Sequence, residues 1–95
     1  MSKIIDKFIA GSLSSEQIGF TTHYHKRIME REINRDYIKN LILNEDYVDF
    51  YEDLNQKGDF KIIYPSENSG YQLVVVVTTN STNLVVKTAY EQKIR

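Results

Sequence analysis

The sequence has no cysteine and no tryptophan, and only one proline, four glycines and two histidines among its 95 residues. Without cysteine there can be neither a disulfide framework nor a thiolate zinc site, and a cysteine nucleophile is excluded as well. Stability has to come from a packed core. The scarcity of proline and glycine excludes a linker-like or low-complexity chain. Neither charge sign dominates: twelve Lys/Arg against thirteen Asp/Glu leave a formal charge of -1. That removes the broad basic field of a protein that coats nucleic acid, so any such contact must be local. Long hydrophobic runs are also missing. The longest, Leu73 to Val77, is far too short to span a bilayer, and Lys3, Asp6 and Lys7 interrupt the apolar pattern at the start. The expectation is a soluble, cytoplasmic protein with no membrane partner. A composition of 41% hydrophobic and 26% charged residues suits one compact domain.

The pattern divides into a helical first half and a strand-rich second half. Ile4, Ile5, Phe8 and Ile9 recur at helical spacing and are followed by Gly11, which predicts a short amphipathic helix closed by that glycine. Ser12 to Gly19 reads as a turn or short helical connector. Thr21 or Thr22 can cap a helix over His23 to Arg31, and Asn34 can cap another whose apolar stripe is Tyr37, Ile38, Leu41 and Ile42, ending near Asn44. From there the period changes to two. Tyr47 to Asp53, Asp59 to Tyr64, Tyr71 to Thr79 and Leu84 to Glu91 are rich in Val, Ile, Tyr and Thr, and polar turns separate them. The predicted fold is α+β, with N-terminal helices on one face of a four-stranded antiparallel sheet. The apolar run Leu73 to Val77 marks its central strand.

Chemistry concentrates in His23-Tyr24-His25-Lys26-Arg27-Ile28-Met29-Glu30-Arg31. On a helix, His23, Arg27 and Arg31 fall within about 80 degrees of one another on consecutive turns, a stripe of one imidazole and two permanent cations beside Tyr24 and Ile28. His25 lies nearly opposite His23, so the two cannot serve one site. From spacing alone, a basic row of this kind reads first as a solvated helix face paired with Glu30 or Asp36. In the last strand, strict alternation places Thr88 and Tyr90 on the same face as Leu84 and Val86, with Lys87 on the other. Both are ordinary sheet formers unless helix and strand meet at a cleft.

The pattern His23-x-x-x-Arg27-x-x-x-Arg31-x-Ile33, with the terminal Val86-x-Thr88-x-Tyr90, resembles the family catalogued as domain of unknown function 4258. That family in turn resembles the barnase/EndoU/colicin/RelE-like (BECR) ribonuclease superfamily, which includes many toxins of toxin-antitoxin and contact-dependent systems. The resemblance spans about Phe20 to Tyr90 and leaves residues 1–19 as a helical extension of a single domain whose family-like core is 20–91. It implies a metal-independent endoribonuclease toxin in which His23, Arg27, Arg31, Thr88 and Tyr90 form the catalytic set. His23 would be the base or acid, the arginines would grip the scissile phosphate, Tyr90 would donate to a phosphate oxygen or stack a base, and Thr88 would orient either group. Ile28 followed by Met29 departs from the family's habit of placing methionine directly after the first arginine. The implied partners are an RNA substrate and an antitoxin or immunity protein, with the chain a monomer or homodimer and with no cofactor or metal.

Near-neutral charge is unusual for such a toxin, which supports an alternative, a non-catalytic protein-binding module. Its surface would be Tyr47-Val48-Asp49-Phe50-Tyr51-Glu52-Asp53, an aromatic and acidic segment suited to a basic partner, or else an ordinary edge strand kept soluble by its acids. The mean charge conceals a sorting. His23, Lys26, Arg27 and Arg31 cluster in one segment, while Glu45, Asp46, Asp49, Glu52 and Asp53 gather in another.

Overall fold

The computed structural model describes residues 3–21 and 35–94. The first helix, α1 (Lys3–Ala10), turns Ile4, Ile5 and Phe8 inward, while Ile9 is half exposed. It ends at Gly11, whose φ of 72° is costly for any residue with a Cβ. There the Gly11 N–H donates to the Phe8 carbonyl (3.1 Å) and the Ser12 N–H to the Lys7 carbonyl (2.9 Å), the paired bonds of a Schellman cap. The glycine therefore closes the helix as its position in the sequence predicts.

Next come a 3₁₀ turn at Ser15–Gln17 and a three-residue strand, β1 (Ile18–Phe20). The second described helix, α2 (Arg35–Asn44), buries Ile38, Leu41 and Ile42 and stops where expected. Four strands follow: β2 (Asp49–Glu52), β3 (Asp59–Pro65), β4 (Tyr71–Thr79) and β5 (Leu84–Lys93). The predicted helix over His23 to Arg31 lies outside the described residues.

The sheet has five strands in the order β1-β5-β4-β3-β2 and is mixed, which corrects the expected four-stranded antiparallel sheet. The antiparallel meander of β2 to β5 is as expected, with the apolar β4 at its centre. The addition is β1, which pairs parallel with β5 through Ile18↔Leu84 and Phe20↔Val86. A three-residue strand is too short to display a period of two, so its pairing with a segment far along the chain leaves no local trace.

One face of the sheet carries the core. Ile62, Tyr64, Leu73, Val75, Val77, Leu84, Val86 and Ala89 pack against the buried residues of α1 and α2. Towards β2 the core closes with a run of aromatic rings, in which Phe8 lies 5.6 Å from Tyr47 and 5.4 Å from Phe50, and Phe50 lies 5.6 Å from Phe60. Such spacings add to the stabilisation from burial alone and hold β2 against α1. Tyr64 is fully buried and its hydroxyl has no hydrogen-bond partner among the described residues. Burial, and then the neighbouring Tyr47, push its phenol above the ordinary value, so the ring stays neutral through the physiological range.

Candidate functional site

The last strand does not run straight. Val77 pairs with Val86, but Val76 pairs with Thr88, so Lys87 is an extra residue on β5, a β-bulge. Burial follows this shift: Leu84, Val86 and then Ala89 are buried in the core, a spacing of two followed by three. Thr88 and Tyr90 consequently lie on the face opposite Leu84 and Val86, which corrects the expectation from strict alternation. They share this second face with Lys87.

Register across the sheet identifies their neighbours. Thr88, Val76 and Lys61 form one row over β5, β4 and β3, and Tyr90, Val74 and Ile63 form the next. Ile63 and Val74 are buried on this face outside the helix-side core. The Lys87 ammonium reaches across β4 to the buried Asp59 carboxylate, with Nζ 2.7 Å from Oδ2. This pair satisfies Asp59 and fixes the lysine stem along the sheet. Neither Lys61 nor the Lys87–Asp59 pair is among the residues to which the sequence points. The available signal was charge at Asp59, Lys61 and Lys87 within otherwise apolar strands.

The bulge also ties down the chain ahead of the basic segment. The Thr21 N–H donates to the Val86 carbonyl (3.0 Å), and the Thr21 hydroxyl donates to the Lys87 carbonyl (3.3 Å). An extra residue in one strand disturbs the ladder, and here a side chain takes up the affected carbonyl. Beyond the basic segment, Arg35 holds its guanidinium 5.9 Å from the centre of the Phe20 ring. The described residues that flank 22–34 on either side, Thr21 and Arg35, are thus both anchored beside β1, the strand that borders the bulge. His23, Arg27 and Arg31 themselves lie outside the described residues. Of the five residues expected to act together, the structure places Thr88 and Tyr90.

The helix side has a different chemistry. A cleft of about 150 Å³ is lined by Tyr37, Ser66, Glu67, Asn68, Leu73 and Glu91. The Glu91 carboxylate accepts bonds from the Ser66 hydroxyl and from the Asn68 amide, whose Nδ2 lies 2.9 and 2.8 Å from its two oxygens. Burial, followed by the carboxylates of Glu67, Glu91 and Glu45, raises the Tyr37 phenol above its ordinary value. Acidic groups therefore collect beside α2, whereas Lys61 and Lys87 occupy the opposite face. Among the described residues no cluster of three or more His, Asp or Glu could hold a metal ion.

Residues 20–91, roughly three-quarters of the chain, match the family described as Domain of unknown function (DUF4258). The chain belongs to the DUF4258 family. No curated protein and no solved structure matches it. In DUF4258 terms the match begins at Phe20, so it takes in the basic segment and the bulged strand while omitting α1, which nonetheless supplies Ile4, Ile5 and Phe8 to the core.

Thr88 provides a direct test of this face. Its hydroxyl oxygen is buried and has no hydrogen-bond partner among the described residues. A buried hydroxyl without a partner costs stability, here as at Tyr64. Thr88→Val removes the hydroxyl at nearly constant shape and is expected to leave urea stability unchanged or raise it by about 1 kcal/mol. If Thr88 orients a reacting group, the same variant loses activity while gaining stability, a pairing that a purely structural threonine would not show.

Proposed function

We propose that this chain is a metal-independent endoribonuclease acting as a toxin of a conflict system. The observation that carries this reading is the bulge at Lys87. It turns Thr88 and Tyr90 onto the sheet face away from the α1 and α2 core, in the company of Lys61 and Lys87, and it binds Thr21 two residues ahead of His23. The family match over 20–91 includes both halves of the catalytic set, His23, Arg27 and Arg31 from one segment and Thr88 and Tyr90 from the other.

In this mechanism the 2′-oxygen of the substrate attacks phosphorus and the bond to the 5′-oxygen breaks, leaving a 2′,3′-cyclic phosphate and a 5′-hydroxyl. One proton leaves the 2′-hydroxyl and one is delivered to the departing 5′-oxygen. His23 carries one of these transfers and water the other, since an imidazole titrates near pH 6.5 and serves in either role. Arg27 and Arg31 offset the charge that builds on the phosphorane through their forked donors. Tyr90 donates to a phosphate oxygen or stacks a base of the single strand, and Thr88 holds that group in place. Lys87 is paired with Asp59, so the phosphate is held by Arg27 and Arg31 with Lys61; gripping one phosphate instead of a long backbone is compatible with a net charge of -1.

Expression in bacteria tests the proposal. Wild-type protein is expected to arrest growth and fragment cellular RNA, while His23→Ala combined with Arg27→Ala accumulates as folded protein and does neither. Harmless wild-type protein with intact RNA in every host tried would remove the basis of the reading.

A further inference from the structure

The outer edge of β2 carries a second surface, one that does not depend on the ribonuclease reading. This strand ends the sheet and pairs only with β3 among the described strands. The Asp53 N–H donates inward to the Asp59 carbonyl (2.8 Å). Alternation along an antiparallel strand therefore directs the backbone groups of Tyr51 inward and those of Phe50 and Glu52 outward. One outward donor is occupied within the strand, since the Phe50 N–H donates to the carboxylate of its own neighbour Asp49 (2.8 Å).

Exposed apolar side chains concentrate at the same place. Among the described residues seven large hydrophobics are exposed, and four of them lie between Tyr47 and Leu54, with Val48 at 65%, Tyr51 at 45% and Leu54 at 99%. An apolar patch beside unpaired backbone groups is the composition of a strand-addition surface. Charge selects the occupant. Residues 45–54 contain Glu45, Asp46, Asp49, Glu52 and Asp53 and no basic residue. A second copy of the chain would set these acids against one another across the new pair, and like charges directly opposite are destabilising. A basic strand gains from the same arrangement.

We propose that β2 accepts an extended, Lys/Arg-rich segment of a partner protein as a sixth strand. Its backbone pairs with Phe50 and Glu52, its cations meet Asp49 and Asp53 on the face that carries Tyr51, and its alternate apolar residues fall on the opposite face, along Phe50. The partner's carbonyl displaces the Asp49 carboxylate from the Phe50 N–H, so Asp49 protects the edge until the strand arrives.

The probe is a ten-residue peptide alternating valine with lysine or arginine, added to the full-length ¹⁵N-labelled chain. The control has the same alternation with glutamate. The basic peptide is expected to move the amide signals of Phe50 and Glu52 most strongly, and its affinity should fall steeply with added salt. Glu52→Pro removes an outward N–H that β2 does not use in its own pairing, a position where edge strands tolerate proline. With the fold confirmed by its unchanged core signals, this variant should bind about tenfold or more weakly. Asp49→Asn, which keeps the shape and removes the charge, should also weaken binding. Equal binding of the acidic peptide, full binding by Glu52→Pro, signal changes centred on Thr88 and Tyr90, or a wild-type dimer paired through β2 would each overturn the proposal. An RNA oligonucleotide that moves the β2 signals would do the same.

Discussion

Replacing His23 by alanine is expected to slow RNA cleavage by about 10²- to 10⁴-fold, the range that one positioned general acid or base contributes. The loss should fall on the chemical step, because binding would still draw on Arg27, Arg31 and the second sheet face. The wild-type rate should have a pH limb set by the imidazole, and that limb should be absent from the variant. Arg27→Lys and Arg31→Lys keep the charge but lose the forked donors, so they should fall between wild type and alanine. A single-turnover assay on a labelled single-stranded oligonucleotide separates these effects. If His23→Ala cleaves at the wild-type rate, His23 has no part in proton transfer and the basic segment is a solvated face.

The largest expected effect on stability belongs to Ala89. Because of the bulge, Ala89 faces the core and is almost fully buried, while Tyr90 beside it lies on the second face. Ala89→Asp would force a carboxylate into an apolar layer formed by Val75, Val86 and their neighbours. An uncompensated buried charge costs about 3–5 kcal/mol, a large part of the 5–15 kcal/mol that holds a domain folded. Urea denaturation should show a collapse of the midpoint for Ala89→Asp and a much smaller change for Tyr90→Asp. A strand without the bulge predicts the reverse order, since Ala89 would then face outward with Lys87. The pair of variants thus measures which way the end of β5 is turned, and with it whether Thr88 and Tyr90 share a face with Lys61.

Much of the architecture was readable in the sequence because it follows local rules. Gly11 ends α1, Asn44 ends α2, and the stretch Tyr71–Thr79 is a strand over its whole predicted length. The unbroken apolar run Leu73 to Val77 marks β4 as the middle of the sheet, where both its edges are paired. Two features escaped, both set by partners distant in sequence. The strand β1 owes its existence to Leu84–Val86, and three residues carry too little pattern to announce it. The bulge escaped because a period of two assumes that no residue is extra. A trace existed in the spacing of Leu84, Val86 and Ala89, with two polar residues, Lys87 and Thr88, side by side.

The candidate site was legible in part for the same reason. Thr88 and Tyr90 share one face, as alternation requires, but the extra residue at Lys87 moves them to the face opposite Leu84 and Val86. Lys61 and the Lys87–Asp59 pair depend on register across three strands, which no single segment encodes. The acidic edge, in contrast, was visible as a run of like charge, and its exposure on β2 follows from its position at the end of the sheet.

The most direct test is the fate of a single-stranded RNA incubated with the purified protein in a metal chelator, alongside the same oligonucleotide carrying 2′-deoxyribose throughout. In the proposed mechanism the attacking oxygen is the substrate's own 2′-hydroxyl, so the RNA should be cut to products ending in 2′,3′-cyclic phosphate and the deoxy strand should survive. Intact RNA, or cleavage of both strands alike, would contradict it.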